Sequence, residues 1–324
     1  MSKLSEIKNG QKFEGELVVL EVSERKTKAS KPYLAVVLSD GEQRINGNYW
    51  DWVPTSEPVV TNTVYNVKAM VSEWQGTLQL NILDLSISTD GNLYDFMPRS
   101  STDIDRVYEA ATQVAYSIPD LQLRYLTAKL LRDLEGKWRT IPGAKSVHHA
   151  YVAGTLIHSL SVAKIARAIA SNIPEANESL VIAGALLHDL GKLYTYGMNG
   201  VVIDYTDEGQ LFEHAFIGAE FVGNFAEDTD IDDKKLALLR HIILSHHKKL
   251  EYGAVVTPRC LEAYIVHYAD AIDATAEQLR EASKNSPNSI WLNKIWTLDN
   301  MQHLNPSYIN NKVFADETQE KETV

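Results

Sequence analysis

The stretch of the sequence best suited to chemistry is Ala185–Lys192, where an apolar run ends in His188, Asp189, Gly191 and Lys192. The apolar residues recur at helical spacing, so the polar side chains are predicted at the buried end of a helix. Burying a carboxylate and an imidazole together is costly unless a metal ion or a partner charge compensates them. The stretch therefore predicts an ionic or metal site whose other members come from elsewhere in the chain.

More imidazole and carboxylate groups lie in helical segments on either side of this stretch: His158, His214, His246-His247 and Asp270. These groups suit divalent transition metals, and one carboxylate with several histidines can bridge two ions about 3.5 to 4 Å apart. Two ions in that arrangement support hydrolysis at phosphorus. Tens of positions separate the residues, so spacing alone does not show which of them meet.

Length and composition are those of a soluble globular protein. The chain has 324 residues, 44% of them hydrophobic and 23% charged, with a formal net charge of -12. This length allows two domains with sizeable cores. The acidic balance argues against sequence-independent binding to duplex DNA, which depends on many Lys and Arg contacts, but leaves a single strand or a small nucleotide open.

Cellular location is predicted from what the sequence lacks. The single cysteine, Cys260, excludes an internal disulfide framework. No apolar run approaches the ~20 residues that span a bilayer, and the first residues do not resemble a signal peptide. We therefore expect a cytoplasmic protein without a membrane partner.

Residues 9 to about 92 predict a small β-barrel. Turn residues at 39–41 and 74–77 predict hairpins between β-rich runs. The runs are Phe13–Leu20, Tyr33–Leu38, Gln43–Tyr49, Val64–Val71 and Leu78–Ile82. Five short strands favour an OB-fold, which has a face that binds nucleic acid, and we assign this domain to residues 1–95.

Basic and aromatic residues alternate in the predicted barrel, a combination typical of single-strand binding. We predict the basic residues in one loop between strands, and Tyr33 and Trp50 as stacking platforms. The basic residues are Arg25, Lys26, Lys28 and Lys31. The alternative is that the aromatic side chains belong to the barrel core and that the basic loop is only a solvated turn.

From residue 96 the apolar pattern has a helical period, so residues 96–300 are predicted to form a helical domain. Ser101 or Thr102 is predicted to cap its first helix, and Ser179 to cap the helix that carries the opening stretch. Residues 193 to 214 are predicted to be irregular. Residues 301–324 form a C-terminal extension with a polar, disordered end.

The polar motif His-Asp-x-Gly-Lys, with a helical His before it and a helical Asp after it, resembles the HD-domain metal-dependent phosphohydrolases. The resemblance is closer to the YhaM-type 3′-to-5′ exoribonucleases, which place an OB-fold ahead of the HD domain. The matching motifs are Pro142–Lys145, His148–Gly154, Leu156–Ala163, Ala183–Lys192, Ile243–His247 and Glu262–Asp270. They agree in order, spacing and domain context.

This resemblance implies a two-domain α+β protein with an N-terminal five-stranded OB-fold barrel and an all-α HD bundle. It implies a first metal shell of His158, His188, Asp189 and Asp270, and a second site completed by His214 and His246. Asp189 would bridge two ions, with Mn²⁺ the expected metal and Co²⁺ or Fe²⁺ the alternatives. Lys192 would face the phosphate, and Lys145, His148 and His149 would lie on the substrate side.

The sequence departs from the family pattern at two places. Glu213 precedes His214 where we expect glycine, and Lys248-Lys249 follow the His-His pair where glycine is usual. Among the remaining polar residues, Asp273 is predicted to organise hydrogen bonds, and His247 to orient its neighbour.

The predicted function is a metal-dependent phosphodiesterase that removes nucleotides from the 3′ end of single-stranded RNA, with single-stranded DNA as a second possible substrate. One alternative is an HD enzyme for a small nucleotide or a cyclic nucleotide, in which the barrel serves assembly. Another is a non-catalytic single-strand-binding protein with a structural metal site. Trp291 and Trp296 predict a segment that docks on the bundle or on a second subunit, so a homo-oligomer is a further expectation.

Overall fold

The structure is a computed structural model, and it describes residues 4–53, 58–97, 100, 102–144, 149, 151–199 and 201–310. The chain divides into two compact units. One comprises residues 1–101 and 197–204, and the other comprises residues 102–196 and 205–324. The first unit holds a β-barrel and the second is mainly helical, which confirms the predicted α+β layout.

The barrel is closed by five strands in the order β1-β2-β3-β5-β4. The strands are β1 (Lys12–Lys26), β2 (Pro32–Ser39), β3 (Arg44–Tyr49), β4 (Thr63–Trp74) and β5 (Thr77–Ile87). Neighbouring strands are antiparallel except for β3 and β5, which are parallel. A closed five-stranded barrel with this crossover is the predicted OB-fold.

Alternating apolar side chains fill the barrel interior, and Phe13, Leu17, Leu38 and Leu80 are fully buried there. The β4–β5 hairpin turns at Gln75 and Gly76, both with positive φ, as a tight two-residue turn requires.

The prediction that all four basic residues share a loop is wrong. β1 pairs with β2 as far as Lys26 opposite Pro32, so Arg25 and Lys26 are strand residues. Lys28 and Lys31 alone lie in or beside the connecting turn. The error arose because a charged strand end exposed on both faces lacks the alternation that marks a strand.

The helical unit contains eleven helices within the described residues. They are α1 (Ile104–Tyr116), α2 (Leu121–Asp133), α3 (Glu135–Trp138), α4 (Gly154–Ala170), α5 (Glu178–Leu187), α6 (Lys192–Thr195), α7 (Asp207–Leu211), α8 (His214–Ala226), α9 (Asp233–Ser245), α10 (Leu261–Asn285) and α11 (Pro306–Tyr308). None of the described helices combines the length and apolar character that a bilayer span requires.

Two helix caps differ from those predicted. Asp103 caps α1 and Asn177 caps α5, each accepting a hydrogen bond from a backbone N–H of the first turn. Ser179 lies inside α5, where its hydroxyl accepts a hydrogen bond from Asp120 N at 3.0 Å.

The segment 193–214 is also more ordered than predicted. It contains the end of α6, the helix α7 and two short strands, β6 (Tyr196–Asn199) and β7 (Val202–Tyr205), that pair with each other.

Helix α5 lies at the centre of the helical unit. Every residue from Ser179 to Leu187 is buried, and the helix packs against α1, α2, α4, α9 and α10. Only such a central position removes every side of an all-apolar helix from water. The C-terminal end of α5 therefore delivers His188 into the interior.

Candidate metal centre

The structure brings together all six predicted metal ligands at the C-terminal end of α5. Five elements supply them. They are His158 in α4, His188 and Asp189 after α5, His214 at the start of α8, His246 after α9 and Asp270 in α10. Each of these side chains is at most 15% exposed, so the cluster is a buried polar site.

A first group of atoms surrounds Oδ2 of Asp189. His158 Nε2 lies 3.5 Å and His188 Nε2 lies 3.3 Å from this oxygen. Asp270 Oδ1 lies 3.2 Å from His158 Nε2, and the two imidazole Nε2 atoms are 3.2 Å apart. Two imidazoles and two carboxylates that converge in this way match the ligands of a divalent transition metal.

A second group of atoms surrounds Oδ1 of the same carboxylate. His214 Nε2 lies 3.4 Å and His246 Nε2 lies 3.7 Å from Asp189 Oδ1. His247 joins this group, because its Nε2 lies 2.9 Å from His214 Nε2. Asp189 thus presents one oxygen to each group, the arrangement of a bridging ligand.

The tautomers of two histidines indicate that a proton or a cation must lie between the facing ring nitrogens. The Nδ1 atom of His188 lies 2.8 Å from Ala185 O, and that of His246 lies 2.7 Å from Ile243 O. A carbonyl accepts only, so Nδ1 carries the proton in each ring and Nε2 offers its lone pair to the cluster. Converging lone pairs repel one another unless a proton or a cation lies between them.

The carboxylate of Asp189 gives a second indication. The residue is 1% exposed, and neither oxygen has a hydrogen-bond partner among the described residues. Lys192 Nζ comes within 2.8 Å of Oδ2 as an ion pair but lacks hydrogen-bond geometry. Buried carboxylate oxygens are normally paired or bound to metal, so the residues present fit a pair of cations.

Burial sets the protonation of the second group. Loss of hydration lowers the pKa of His214 to about 3 and holds the pKa of His246 well below its usual range. Burial likewise lowers the pKa of His247. All three rings are therefore neutral near pH 7, the form that binds metal ions.

The first group differs because it holds a proton that a metal ion can replace. Burial opposes charging of His158, but hydrogen bonds to Asp270 and Asp273 outweigh it and raise the pKa of His158 to about 9. Burial opposes ionisation of Asp189, but the Lys192 ammonium beside it holds the pKa of this carboxyl well below its usual range. Metal binding should therefore release the proton of His158.

Asp273 connects this first group to a further histidine. Its Oδ2 accepts from His158 Nδ1 at 2.7 Å and from His149 Nε2 at 3.0 Å, and it also contacts Ser161. The other ring nitrogen of His149 lies 2.6 Å from the hydroxyl of Tyr151. His149 is 3% exposed, so these contacts favour a positioning role over the substrate contact that the resemblance implies.

The backbone around His149 is strained. His149 and Ala153 both have φ near +60°, a conformation that costs side-chain-bearing residues of order 1–3 kcal/mol. Gly143 N donates to His149 O at 2.9 Å, and a Cβ on Gly154 would lie 2.0 Å from that same oxygen. The chain therefore holds His149 against Asp273 in a single position.

We expect Asp273→Asn to weaken metal binding at the first group by about 10- to 100-fold, because losing the carboxylate leaves the His158 imidazole less basic and less well oriented. Titration of the metal-free protein with Mn²⁺ against a competing chelator measures this. Asp228→Asn, an exposed change in the loop after α8, is the control. Equal affinities of the two variants would contradict the positioning role.

A close packing of two glycines fixes the distance between the ligands. A Cβ on Gly191 would lie 1.9 Å from His214 O and 2.7 Å from Gly218 N. The turn after Asp189 thus rests directly on the first turn of α8. Only glycine permits this approach of two backbones, so both groups of ligands are tied to one rigid contact.

The other predicted site residues fall into two sets. Lys145 and His148 lie outside the described residues. The barrel residues Arg25, Lys26, Lys28, Lys31, Tyr33 and Trp50 belong to the other compact unit.

Three further residues lie near the metal centre, and for one of them the structure differs from the prediction. His247 was predicted only to orient its neighbour, and it instead stands among the possible ligands. His267 lies behind the cluster, with Nδ1 2.7 Å from His246 O. Glu213 keeps its carboxylate largely exposed, 3.9 Å from His214 Nδ1.

Comparison with protein-family models supports the presence of a metal site in this part of the chain. Residues 155–275 match the family model of the HD domain. The matched range contains all six predicted ligands together with His247 and Asp273. This part of the helical unit is therefore similar to the HD domain, a domain found in metal-dependent phosphohydrolases.

Proposed function

We propose that this protein is a metal-dependent 3′-to-5′ exoribonuclease that acts on single-stranded RNA, with single-stranded DNA as a second substrate. One observation carries the proposal: a cluster in which Asp189 faces two groups of potential ligands occurs in the same chain as an OB-fold barrel. The first feature suits hydrolysis of a phosphate ester, and the second suits a single strand.

The barrel surface offers both stacking and polar contacts. The rings of Tyr33 and Trp50 lie 4.4 Å apart between centroids, and Trp50 is 39% exposed. Arg25 pairs with Tyr33 across β1 and β2. Arg25 also lines a cavity of about 450 Å³, whose polar lining includes Ser23, Asn46, Asn48 and Gln79 together with the acidic Glu21. Such a surface can bind bases and phosphates without reading sequence.

One basic residue of the barrel is already engaged. Lys31 Nζ lies 3.0 Å from Asp51 Oδ1. Both side chains are largely exposed, so the pair contributes little to stability and can exchange for a phosphate. Arg25, Lys26 and Lys28 are exposed as well.

In the metal centre we assign a separate task to each side chain. His158, His188, Asp189 and Asp270 would hold one ion, and Asp189 with His214, His246 and His247 would hold the other. When bound, the ions would supply activation of water and stabilisation of the leaving oxygen. Lys192, buried beside Asp189, stabilises the negative charge that develops on phosphate.

A small or cyclic nucleotide is the second candidate substrate, and the depth of the metal centre favours it. Asp189 and His246 are at most 1% exposed, so only a slender phosphate ester reaches them. The 3′ end of an RNA strand is also slender enough, because only its terminal nucleotide has to enter the site.

An RNA carrying a label at its 5′ end distinguishes these functions. With Mn²⁺, we expect a ladder of products shortened from the 3′ end, and release of mononucleotides. His188→Ala should abolish the ladder, while His241→Ala, outside the cluster, should not. Hydrolysis of a cyclic nucleotide without shortening of RNA would refute the exoribonuclease and support the second candidate.

The barrel contribution can be tested in the same assay. Tyr33→Ala combined with Trp50→Ala should raise KM for a long RNA by about 10- to 100-fold, because stacking contributes about 1–3 kcal/mol per base. Trp296→Ala, which removes an exposed Trp from the helical unit, is the control. An unchanged KM in the double variant would show that the barrel does not hold the strand.

A further inference from the structure

A lysine and a tyrosine that lie close in sequence to the metal-ligand candidates form a pair in the helical unit. Lys248 Nζ donates a hydrogen bond to the hydroxyl of Tyr268 at 2.9 Å and lies 4.8 Å from the centroid of its ring. Lys248 directly follows His246 and His247, and Tyr268 precedes Asp270 by two residues. Tyr268 is 52% exposed, so part of its ring is open to a ligand.

A single side chain links this pair to the metal centre. The ring of Tyr268 lies 5.0 Å from the ring of His267, and His267 Nδ1 donates to His246 O at 2.7 Å. Tyr268 therefore contacts the imidazole that donates a hydrogen bond to the main chain of His246, a metal-ligand candidate.

The backbone of Lys248 indicates that its side chain has a use. Lys248 has φ +66°, and its N–H donates to Ser245 O at 2.8 Å. Glycine adopts this conformation without strain, whereas lysine does not. Strained residues concentrate at functional sites, and here the strained residue directly follows two metal-ligand candidates in sequence.

The neighbouring lysine provides a contrast. Lys249 also lies over an aromatic ring, 4.9 Å from the centroid of Tyr252, but its ammonium pairs with Glu251 at 3.0 Å. Lys248 forms no ion pair with a carboxylate of the part of the chain that the structure describes. Of the two, Lys248 is the one that has no described carboxylate to exchange before it binds an anion.

We propose that Lys248 and Tyr268 form a nucleotide clamp, in which the Tyr268 ring stacks on a nucleobase near the 3′ end and the Lys248 ammonium binds the adjacent phosphate. An aromatic face with a neighbouring cation is the combination that binds single strands. The clamp rests on the proposed function and extends it, because it makes bases part of what the helical unit recognises.

The test is binding of a fluorescent oligoadenylate with phosphorothioate linkages, which resist hydrolysis, to the metal-loaded full chain. Tyr268→Ala and Lys248→Gly should each raise Kd by about 5- to 100-fold. Lys248→Gly should melt at the wild-type temperature or above it, because glycine relieves the strained φ, so a loss of binding is not a loss of fold. An abasic probe should remove most of the Tyr268 effect and retain the Lys248 effect.

Lys249→Ala and Tyr252→Ala are the matched controls and should bind as the wild type does. The clamp is refuted if Tyr268→Ala and Lys248→Gly keep the wild-type Kd, or if Lys249→Ala weakens binding as much as Lys248→Gly. Loss of binding in the two clamp variants, in a protein that does not shorten RNA with Mn²⁺, would support the clamp and refute only the exoribonuclease.

Discussion

Asp189→Asn should reduce phosphodiesterase activity by about 10³-fold or more and lower the metal content of the purified protein from two ions to one or none. The expected loss is large because one carboxylate faces both groups of ligands. Asparagine keeps the shape of the side chain but removes the charge that the two proposed cations would share. A loss of several kcal/mol of transition-state stabilisation corresponds to this change in rate.

Elemental analysis and RNA turnover on the same preparation measure both parts of this prediction. Asp228→Asn serves as the charge-matched control, because its carboxylate is exposed and outside the cluster. Retention of two ions in the Asp189 variant would show that this residue does not bridge them. Retention of activity with a lower metal content would refute the role of the second ion.

Metal removal should lower the melting temperature by about 8 to 15 °C. A ligand present at a thousand times its Kd stabilises the folded state by about 4 kcal/mol, and each kcal/mol shifts the melting temperature of a domain of this size by about 2 to 4 °C. Without ions, the Asp189 oxygens, which accept no hydrogen bond from the described residues, and the facing Nε2 atoms of the neutral histidines of the second group remain buried.

Thermal unfolding with and without a chelator measures this shift. The Asp189→Asn variant supplies the control, since the chelator should move its melting temperature much less. A wild-type protein that melts at the same temperature in both conditions would argue that the cluster is held by protons and hydrogen bonds alone.

The barrel was the part of the fold most accessible from sequence. Strand alternation and the turn at Gln75-Gly76 depend on neighbouring residues, so local patterns predict them. The end of β1 was missed because Arg25 and Lys26 are held by pairing with β2, and such pairing leaves no local signal in a charged segment.

The metal centre required more than local patterns. Its ligands come from five separate elements, and no spacing in the sequence shows that α4, α8 and α10 converge on the end of α5. The resemblance supplied that information for the six predicted ligands. The resemblance did not indicate the contacts of His149, because its hydrogen bonds to Asp273 and Tyr151 depend on a strained loop.

His247 was missed for a geometric reason. In a continuing helix, adjacent residues point about 100° apart, so only one of two neighbouring histidines faces a given site. Helix α9 ends at Ser245, and the two rings therefore lie only 3.9 Å apart between centroids. Helix termination just before the pair is the feature that sequence reasoning should have weighed.

The contact between Gly191 and Gly218 bears on the choice of metal. Because the main chain of the turn touches the main chain of α8, the span between the two ligand groups cannot widen without separating packed backbones. Cations of different radius are therefore not accommodated equally, and geometry can override the intrinsic preference of imidazole for later transition metals. We expect that replacing either glycine would change which cation the metal centre prefers as well as how tightly that cation binds.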